Sequence, residues 1–99
     1  MAKFYKYYCS LLHSDLAHSS QLIYSFLLDA YEMNNKLNTK KPLSYSVAEL
    51  SKELEYSENT IKNGLGELEK KEYIIIDRKK GEKNVFFLTK EKYTEILNT

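Results

Sequence analysis

The stretch "SVAELSKELEYSENTIKNGLGELEKKEYI", Ser46 to Ile74, contains two successive helix N-termini, and each is marked by a serine that can act as its cap. Ser46 can cap the first helix, and Glu49, three residues further on, completes a capping box. Ser57 can cap the second helix in the same way. Only about three residues remain between the two helices, and such a short connection is typical of a helix-turn-helix. The sequence therefore predicts a helix-turn-helix over residues 46–71.

Two of the chain's three glycines lie in the second helix, two residues apart. Each glycine inside a helix costs about 1 kcal/mol relative to alanine, so the helix must gain something from the missing side chains or be fixed by its surroundings. Gly64 falls on the apolar stripe of the helix, where it would let two helices approach closely. Gly66 falls on the opposite, polar face, where packing does not require it. The apolar stripe is Ile61, Gly64, Leu65 and Leu68, and the polar face carries Asn59, Lys62, Asn63 and Gly66.

The segment before the helix-turn-helix predicts a longer amphipathic helix. Ser19 or Ser20 can cap this helix, which should end near residues 34–35. A polar loop then leads to Pro42. Residues 1–18 are rich in aromatic side chains and are predicted to form an N-terminal arm. The apolar residues that recur at helical spacing are Leu22, Ile23, Phe26, Leu27, Ala30 and Tyr31.

The segment after the helix-turn-helix predicts a β-hairpin over residues 73–88. Two runs of strand-forming residues, "YIIID" and "NVFFL", flank a basic turn, "RKKGEK". Thr89 can cap a short last helix over residues 89–98. The whole chain, residues 1–99, is therefore predicted to be a single domain of the α+β class, mainly α with a small β-hairpin.

This order of elements is that of a winged helix-turn-helix domain. The segment from Ser46 to Ile74 resembles the DNA-reading part of bacterial winged-helix proteins. The segment "SSQLIYSFLLDAYEMNN", Ser19 to Asn35, looks like the first helix of the N-terminal domain of plasmid replication initiators and of related phage replication proteins of Gram-positive bacteria. The resemblance spans roughly Lys3 to Leu88. The family has a small residue where Gly64 stands, and it often has a basic or long polar residue where this chain has Gly66.

The resemblance implies that the second helix of the pair enters the major groove of DNA as a recognition helix. Asparagine is suited to pairing with adenine and lysine with guanine, and each such contact provides about 1–3 kcal/mol of discrimination. The capped helix start can bind a phosphate, and the basic hairpin, or wing, would contact the backbone or a minor groove. Gly66 would let the DNA backbone come close. The predicted DNA-binding residues are Ser57, Asn59, Thr60, Lys62, Asn63 and Gly66 on the helix and Arg78, Lys79, Lys80 and Lys83 on the wing.

The expected function is sequence-specific binding of double-stranded DNA of a plasmid or phage, either at an origin in replication initiation or as a transcriptional regulator. The net charge of +1 implies weak binding by one copy, so a homodimer on an inverted repeat is expected, with replication proteins as further partners. The alternative is a protein-protein interaction module with the same fold, an accessory factor in replication or DNA transfer. Its support is the acidic residues in or beside the recognition helix, Glu58, Glu67, Glu69 and Glu72.

Other classes of function have weaker support in the sequence. Cys9, His13, Asp15 and His18 are residue types that bind zinc, but their spacing does not match a usual structural site. There is no phosphate-binding loop, no pair of carboxylates in an apolar setting and no triad order, so we predict no catalysis, no metal and no cofactor. The single cysteine, the lack of a signal peptide and the lack of a long apolar run indicate a cytoplasmic protein without a membrane partner.

Overall fold

A computed structural model describes residues 15–36, 43–78 and 83–97 of the chain. Helices make up most of these ranges, and the strands form a small antiparallel sheet, so the predicted α+β class is confirmed. The elements are α1 (His18–Lys36), β1 (Leu43–Tyr45), α2 (Val47–Leu54), α3 (Glu58–Lys70), β2 (Ile74–Asp77), β3 (Asn84–Leu88) and α4 (Lys90–Leu97).

Helices α2 and α3 begin where the sequence predicts. The Ser46 hydroxyl accepts a 3.0 Å hydrogen bond from the Glu49 amide, and the Glu49 carboxylate accepts one of 2.9 Å from the Ser46 amide, which completes the capping box. Ser57 caps α3, because its hydroxyl accepts a 3.2 Å hydrogen bond from the Thr60 amide. At the end of α2, Glu55 adopts a left-handed conformation with φ of 59° and turns the chain toward α3. Three residues therefore separate the two helices, as predicted.

The hydrophobic core lies between α1, the α2–α3 pair and the inner face of the sheet. Helix α3 contributes the predicted apolar stripe, whose four residues are all buried. A Cβ atom added to Gly64 would lie 2.5 Å from Cδ1 of Ile23 and 3.5 Å from the Ser20 hydroxyl oxygen, both on α1. The close approach of two helices at Gly64 is confirmed, because an added Cβ would force the side chain of Ile23 to move.

The beginning of α1 differs from the prediction. The helix already starts at His18, which was assigned to the arm, so the two serines expected to cap it lie inside the helix. Ser20 is buried, and its hydroxyl donates a 3.4 Å hydrogen bond to the carbonyl oxygen of Gly64. The amide of Ala17, just before α1, donates to Oε1 of Glu67 on α3 at 3.0 Å. The carboxylate of Glu67, from α3, thus accepts a hydrogen bond at the start of α1, where the sequence alone predicts that a serine hydroxyl would be the acceptor.

The sheet contains one strand more than the predicted hairpin. Strands β2 and β3 form that hairpin, with Ile74 opposite Leu88, and β1 pairs antiparallel with β3 to give the order β1-β3-β2. The register places Leu43 of β1 opposite Phe86, and both side chains are buried. A strand of three residues is too short for hydrophobic periodicity to reveal, and it forms because β3 offers an edge to pair with.

Three predicted segments lie wholly or mainly outside the described residues. They are the arm up to residue 14, the loop over 37–42 and the tip of the hairpin over 79–82. Thr89 directly precedes α4, as predicted, and its hydroxyl donates a 2.7 Å hydrogen bond to the Glu72 carbonyl oxygen. None of the helices within the described ranges has the length and apolar character needed to cross a bilayer.

Candidate nucleic-acid interface

The side of α3 that points away from the core carries a stripe of basic and uncharged residues, with the exposed Glu58 and the partly exposed Glu69 at its border. Asn59, Lys62, Asn63 and Gly66 are all exposed, and their spacing of i, i+3, i+4, i+7 aligns them in one stripe. Lys70, one turn beyond Gly66, is also exposed and continues the stripe. The sequence prediction omitted Lys70, although helical spacing alone would have indicated it. We refer to these five residues as the α3 face.

The middle of the α3 face is open to a bulky partner. A Cβ atom built on Gly66 would meet no other atom within 4 Å, so the exposed position predicted for this glycine is confirmed. At the start of the helix, the hydroxyl oxygens of Ser57 and Thr60 lie 2.9 Å apart and share a hydrogen bond. These two predicted site residues therefore stabilise the helix start, and the other four predicted residues of α3 form most of the exposed stripe.

Glu67 is one of the acidic residues that favour the alternative of an interaction module, and its carboxylate is hydrogen-bonded within the chain. Its carboxylate accepts hydrogen bonds from the Ala17 amide at 3.0 Å and from Lys71 Nζ at 3.2 Å. The Ser20 hydroxyl and then the Ala17 amide lower the pKa of Glu67 below its ordinary value. This carboxylate serves the contact between α3 and the beginning of α1.

Glu69 also forms hydrogen bonds within the chain, and its partner is Arg78, one of the predicted DNA-binding residues. Arg78, directly after β2, donates from Nη1 to Oε2 of Glu69 at 2.9 Å and from Nη2 to Oε1 at 3.1 Å. Two parallel hydrogen bonds of this kind are the strong geometry of arginine with a carboxylate. The hydrogen bond from Arg78 lowers the pKa of Glu69. The pair links the end of β2 to α3, and its two side chains are 57% and 38% exposed.

A second ion pair stands on the other side of the hairpin tip. Lys83 Nζ lies 3.0 Å from Oε2 of Glu49 on α2, while Oε1 of Glu49 stays in the capping box. The Ser46 amide and then the Lys83 ammonium lower the pKa of Glu49. We refer to Arg78–Glu69 and Lys83–Glu49 as the hairpin ion pairs. The two remaining wing residues of the prediction, Lys79 and Lys80, lie between them and outside the described residues.

The alternative zinc cluster is only partly within the described ranges. Asp15 forms an ion pair with Lys71, with Oδ2 and Nζ 3.2 Å apart, and His18 is the first residue of α1. Cys9 and His13 lie outside the described residues. Among the residues that the structure does describe, no group of three or more histidine, cysteine or acidic side chains is arranged to hold a metal ion.

No protein-family model matches this chain, and no curated protein is significantly similar to it. The function is therefore inferred from the geometry of the α3 face and of the hairpin beside it.

Proposed function

We propose that this protein is a sequence-specific binder of double-stranded DNA with a winged helix-turn-helix fold. In this proposal α3 is the recognition helix, the β2–β3 hairpin is the wing, and the role is binding rather than catalysis. The observation that supports it most is the α3 face, an exposed stripe of basic and uncharged residues on a helix whose other side packs in the core. The major groove of B-DNA is wide enough to admit one helix presented in this way.

The hairpin has the support that a wing needs. An isolated two-stranded hairpin is marginally stable at best, and β1 supplies a third strand on the free edge of β3. The hydrogen bonds of Arg78 to Glu69 show that the end of β2 lies beside α3 in the free protein. A duplex that lies on the α3 face would therefore meet the hairpin as well, and the tip lysines Lys79 and Lys80 would contact its phosphates.

Each residue of the α3 face has a defined task in this proposal. Asn59 and Asn63 pair with adenine and Lys62 with guanine, since these are the bases whose major-groove edges suit them. Gly66 leaves room for the DNA backbone, because no other atom lies within 4 Å of the position that a side chain would occupy. Lys70, at the far end of the stripe, contacts a phosphate.

The setting that we propose is a plasmid or phage. Its role would be binding at an origin in replication initiation, the role that the sequence pattern of Ser19 to Asn35 and of Ser46 to Ile74 led us to expect, and a transcriptional regulator would use the same surface. The net charge of +1 gives little long-range attraction to DNA, which favours a homodimer that doubles the number of contacts.

The experiment that tests the proposal is selection from a pool of random-sequence duplexes at near-physiological salt, followed by sequencing of the retained DNA. We expect an inverted repeat to be enriched, because two copies related by two-fold symmetry read the same half-site in opposite directions. Retention without enrichment, lost as the salt concentration rises, would reject sequence-specific binding. No retention at all would reject DNA binding.

Substitutions should separate base readout from backbone contact. Asn63→Ala should weaken binding to the selected site by about 1–3 kcal/mol and relax the preference at one base pair, whereas Lys79→Ala with Lys80→Ala should weaken binding to every duplex. The measurement is Kd for the selected and a scrambled duplex at several salt concentrations. Asn35→Ala, at an exposed position of α1, is the matched control and should change neither value. Equal losses on both duplexes for Asn63→Ala would contradict its assigned role.

A second candidate function is a protein-protein interaction module that serves as an accessory factor in replication or DNA transfer. The observation that favours it is an apolar pair on the outer face of the hairpin, where Ile75 and Phe87 lie directly opposite each other. These side chains are 58% and 51% exposed, which is unusual for large apolar residues that adjoin one another. If Phe87→Ser abolished co-purification with a replication component and the wild type retained no DNA, this candidate would replace the first.

A further inference from the structure

The two cations on either side of the hairpin tip are held by carboxylates of the same chain. Arg78 is bound by Glu69 of α3 and Lys83 by Glu49 of α2, with shortest distances of 2.9 and 3.0 Å. Both cations are more than half exposed. Neither side chain is buried in the core, so each cation remains accessible to another anion.

A phosphate can replace either carboxylate at low cost. Ion pairs between exposed side chains contribute only about 0–1 kcal/mol, because water already solvates both charges well. Arginine binds phosphate with the same two parallel hydrogen bonds that Arg78 makes to Glu69. The exchange of Glu69 for a phosphate therefore keeps the geometry of the arginine and changes only its partner.

Glu69 also stands next to the α3 face. It follows Gly66 by three residues and Lys62 by seven, so it borders the stripe on the side of the hairpin. A phosphate that approaches Arg78 must displace a carboxylate of like charge, which opposes loose, nonspecific contact. Nonspecific affinity for DNA comes almost entirely from phosphate contacts, whereas a specific complex also gains base contacts that hold the duplex close.

We propose that Glu49 and Glu69 are specificity-determining residues that compete with DNA phosphates for Lys83 and Arg78. In the free protein the two carboxylates mask both cations. A duplex that fits the α3 face holds its phosphates near both cations and displaces the carboxylates more completely than a random duplex does. This inference rests on the proposed DNA-binding function, which it deepens.

Glutamine variants should release the cations while they keep the size and shape of the side chains. Glu69→Gln removes the charge that binds Arg78 and keeps the shape of the side chain. Glu49→Gln does the same for Lys83, and its amide oxygen can still accept the hydrogen bond from the Ser46 amide, since glutamine also completes a capping box.

The control for a simple change of net charge is Glu58→Gln. Glu58 is exposed in the first turn of α3, and it forms no ion pair with any residue in the described ranges. This variant alters the charge by the same amount as the other two, but it has no cation to release. A second control, Arg78→Ala in the Glu69→Gln background, removes the cation itself.

The test is the affinity of the full chain for heparin and for a random duplex at a series of salt concentrations. Heparin is a polyanion without bases, so it reports the masking whether or not the protein reads a sequence. We expect Glu69→Gln and Glu49→Gln to elute from heparin at higher salt than Glu58→Gln. For the random duplex, the slope of log K against log salt should steepen by about 1 for each released cation, and the preference for the selected site should fall.

On heparin and the random duplex, Arg78→Ala should cancel the gain of Glu69→Gln and should have little effect in the wild-type background, where Arg78 is already masked. Elution of Glu69→Gln together with Glu58→Gln would overturn the inference, as would weaker binding, which would mean that the pair positions the hairpin for DNA. If random-pool selection finds no site but the heparin shifts occur, the proposed function fails and the masking stands. If a site is found and the shifts are absent, only the masking fails.

Discussion

At the scale of single residues, the two glycines of α3 show that the effect of glycine on stability depends on its surroundings. Gly64 faces α1, where an added Cβ would lie 2.5 Å from Cδ1 of the fully buried Ile23. Gly66 faces solvent and would meet nothing within 4 Å. Both glycines destabilise the helix relative to alanine. Close packing against α1 offsets this cost at Gly64, whereas no contact within the fold offsets it at Gly66.

Alanine substitutions should make this contrast measurable. Gly66→Ala should raise the free energy of unfolding by up to about 1 kcal/mol through helix propensity. Gly64→Ala makes the same gain but forces Ile23 to move in a packed core, at a cost of about 1–3 kcal/mol, and should be less stable than Gly66→Ala by about that margin. Urea unfolding monitored by circular dichroism measures both values. An equal rise for the two variants would contradict the close contact at Gly64.

At the scale of elements, one carboxylate adds polar contacts between α3 and the beginning of α1. Glu67 accepts hydrogen bonds from the Ala17 amide, at the start of α1, and from Lys71. Its pKa lies below the ordinary value of 4.5 in the folded state, so the unfolded chain takes up this proton first as the pH falls. The stabilisation by Glu67 is thus present above pH 4.5 and is lost as the pH falls below that value.

The pH dependence of Glu67→Gln follows from this sign. At pH 7 the variant should unfold more readily than the wild type, by less than about 1 kcal/mol because the side chain is partly exposed. The difference should narrow steadily as the pH falls below 4.5, since the wild-type carboxylate then loses its charge as well. Urea unfolding over a series of pH values from 7 downward is the measurement. Glu91→Gln, at an exposed position of α4, should match the wild type throughout, and a gap for Glu67→Gln that does not narrow at acid pH would refute the electrostatic origin.

At the scale of the whole molecule, the small net charge leads us to propose that DNA is bound by two copies of the chain. With a charge of +1 per chain, one copy neutralises few phosphates, and two copies on an inverted repeat double both the phosphate and the base contacts. Half-sites should lie about one helical turn apart, so that both recognition helices face the same side of the duplex.

Light scattering after gel filtration should find two chains per selected duplex. Insertion of half a helical turn between the half-sites should lower the affinity sharply, because the second copy would then face the opposite side of the DNA. Insertion of a full turn is the control and should restore part of the binding. A strict monomer on the DNA, with no effect of either insertion, would contradict the dimer.

Much of the fold was predictable because its determinants are local. The capping box at Ser46, the cap at Ser57 and the apolar stripe of α3 depend on residues within one or two turns of each other. The same spacing also placed Gly64 inside and Gly66 outside. The hairpin followed from two strand-forming runs around a turn.

No glycine or other local sequence signal marks the residue at which α3 ends. Glu72 takes a left-handed conformation with φ of 62°, which glycine adopts more readily, and the Tyr73 amide donates to the Leu68 carbonyl oxygen at 2.8 Å. This hydrogen-bond pattern is that of a helix end where glycine is usual, and the chain has none there. The adjoining strand β2 and the Thr89 contact to the Glu72 carbonyl hold the conformation.

By itself, the sequence determined the positions of α2, α3 and the hairpin and the polar stripe of α3, because caps, periodicity and turns act over a few residues. Only the tertiary structure decided the start of α1, the third strand β1 and the partners of Arg78 and Lys83. Each of these depends on a group far away in the chain: Glu67 for α1, β3 for β1, and carboxylates of α2 and α3 for the two cations. Their pairing is set by the packing of whole elements, which no local pattern encodes.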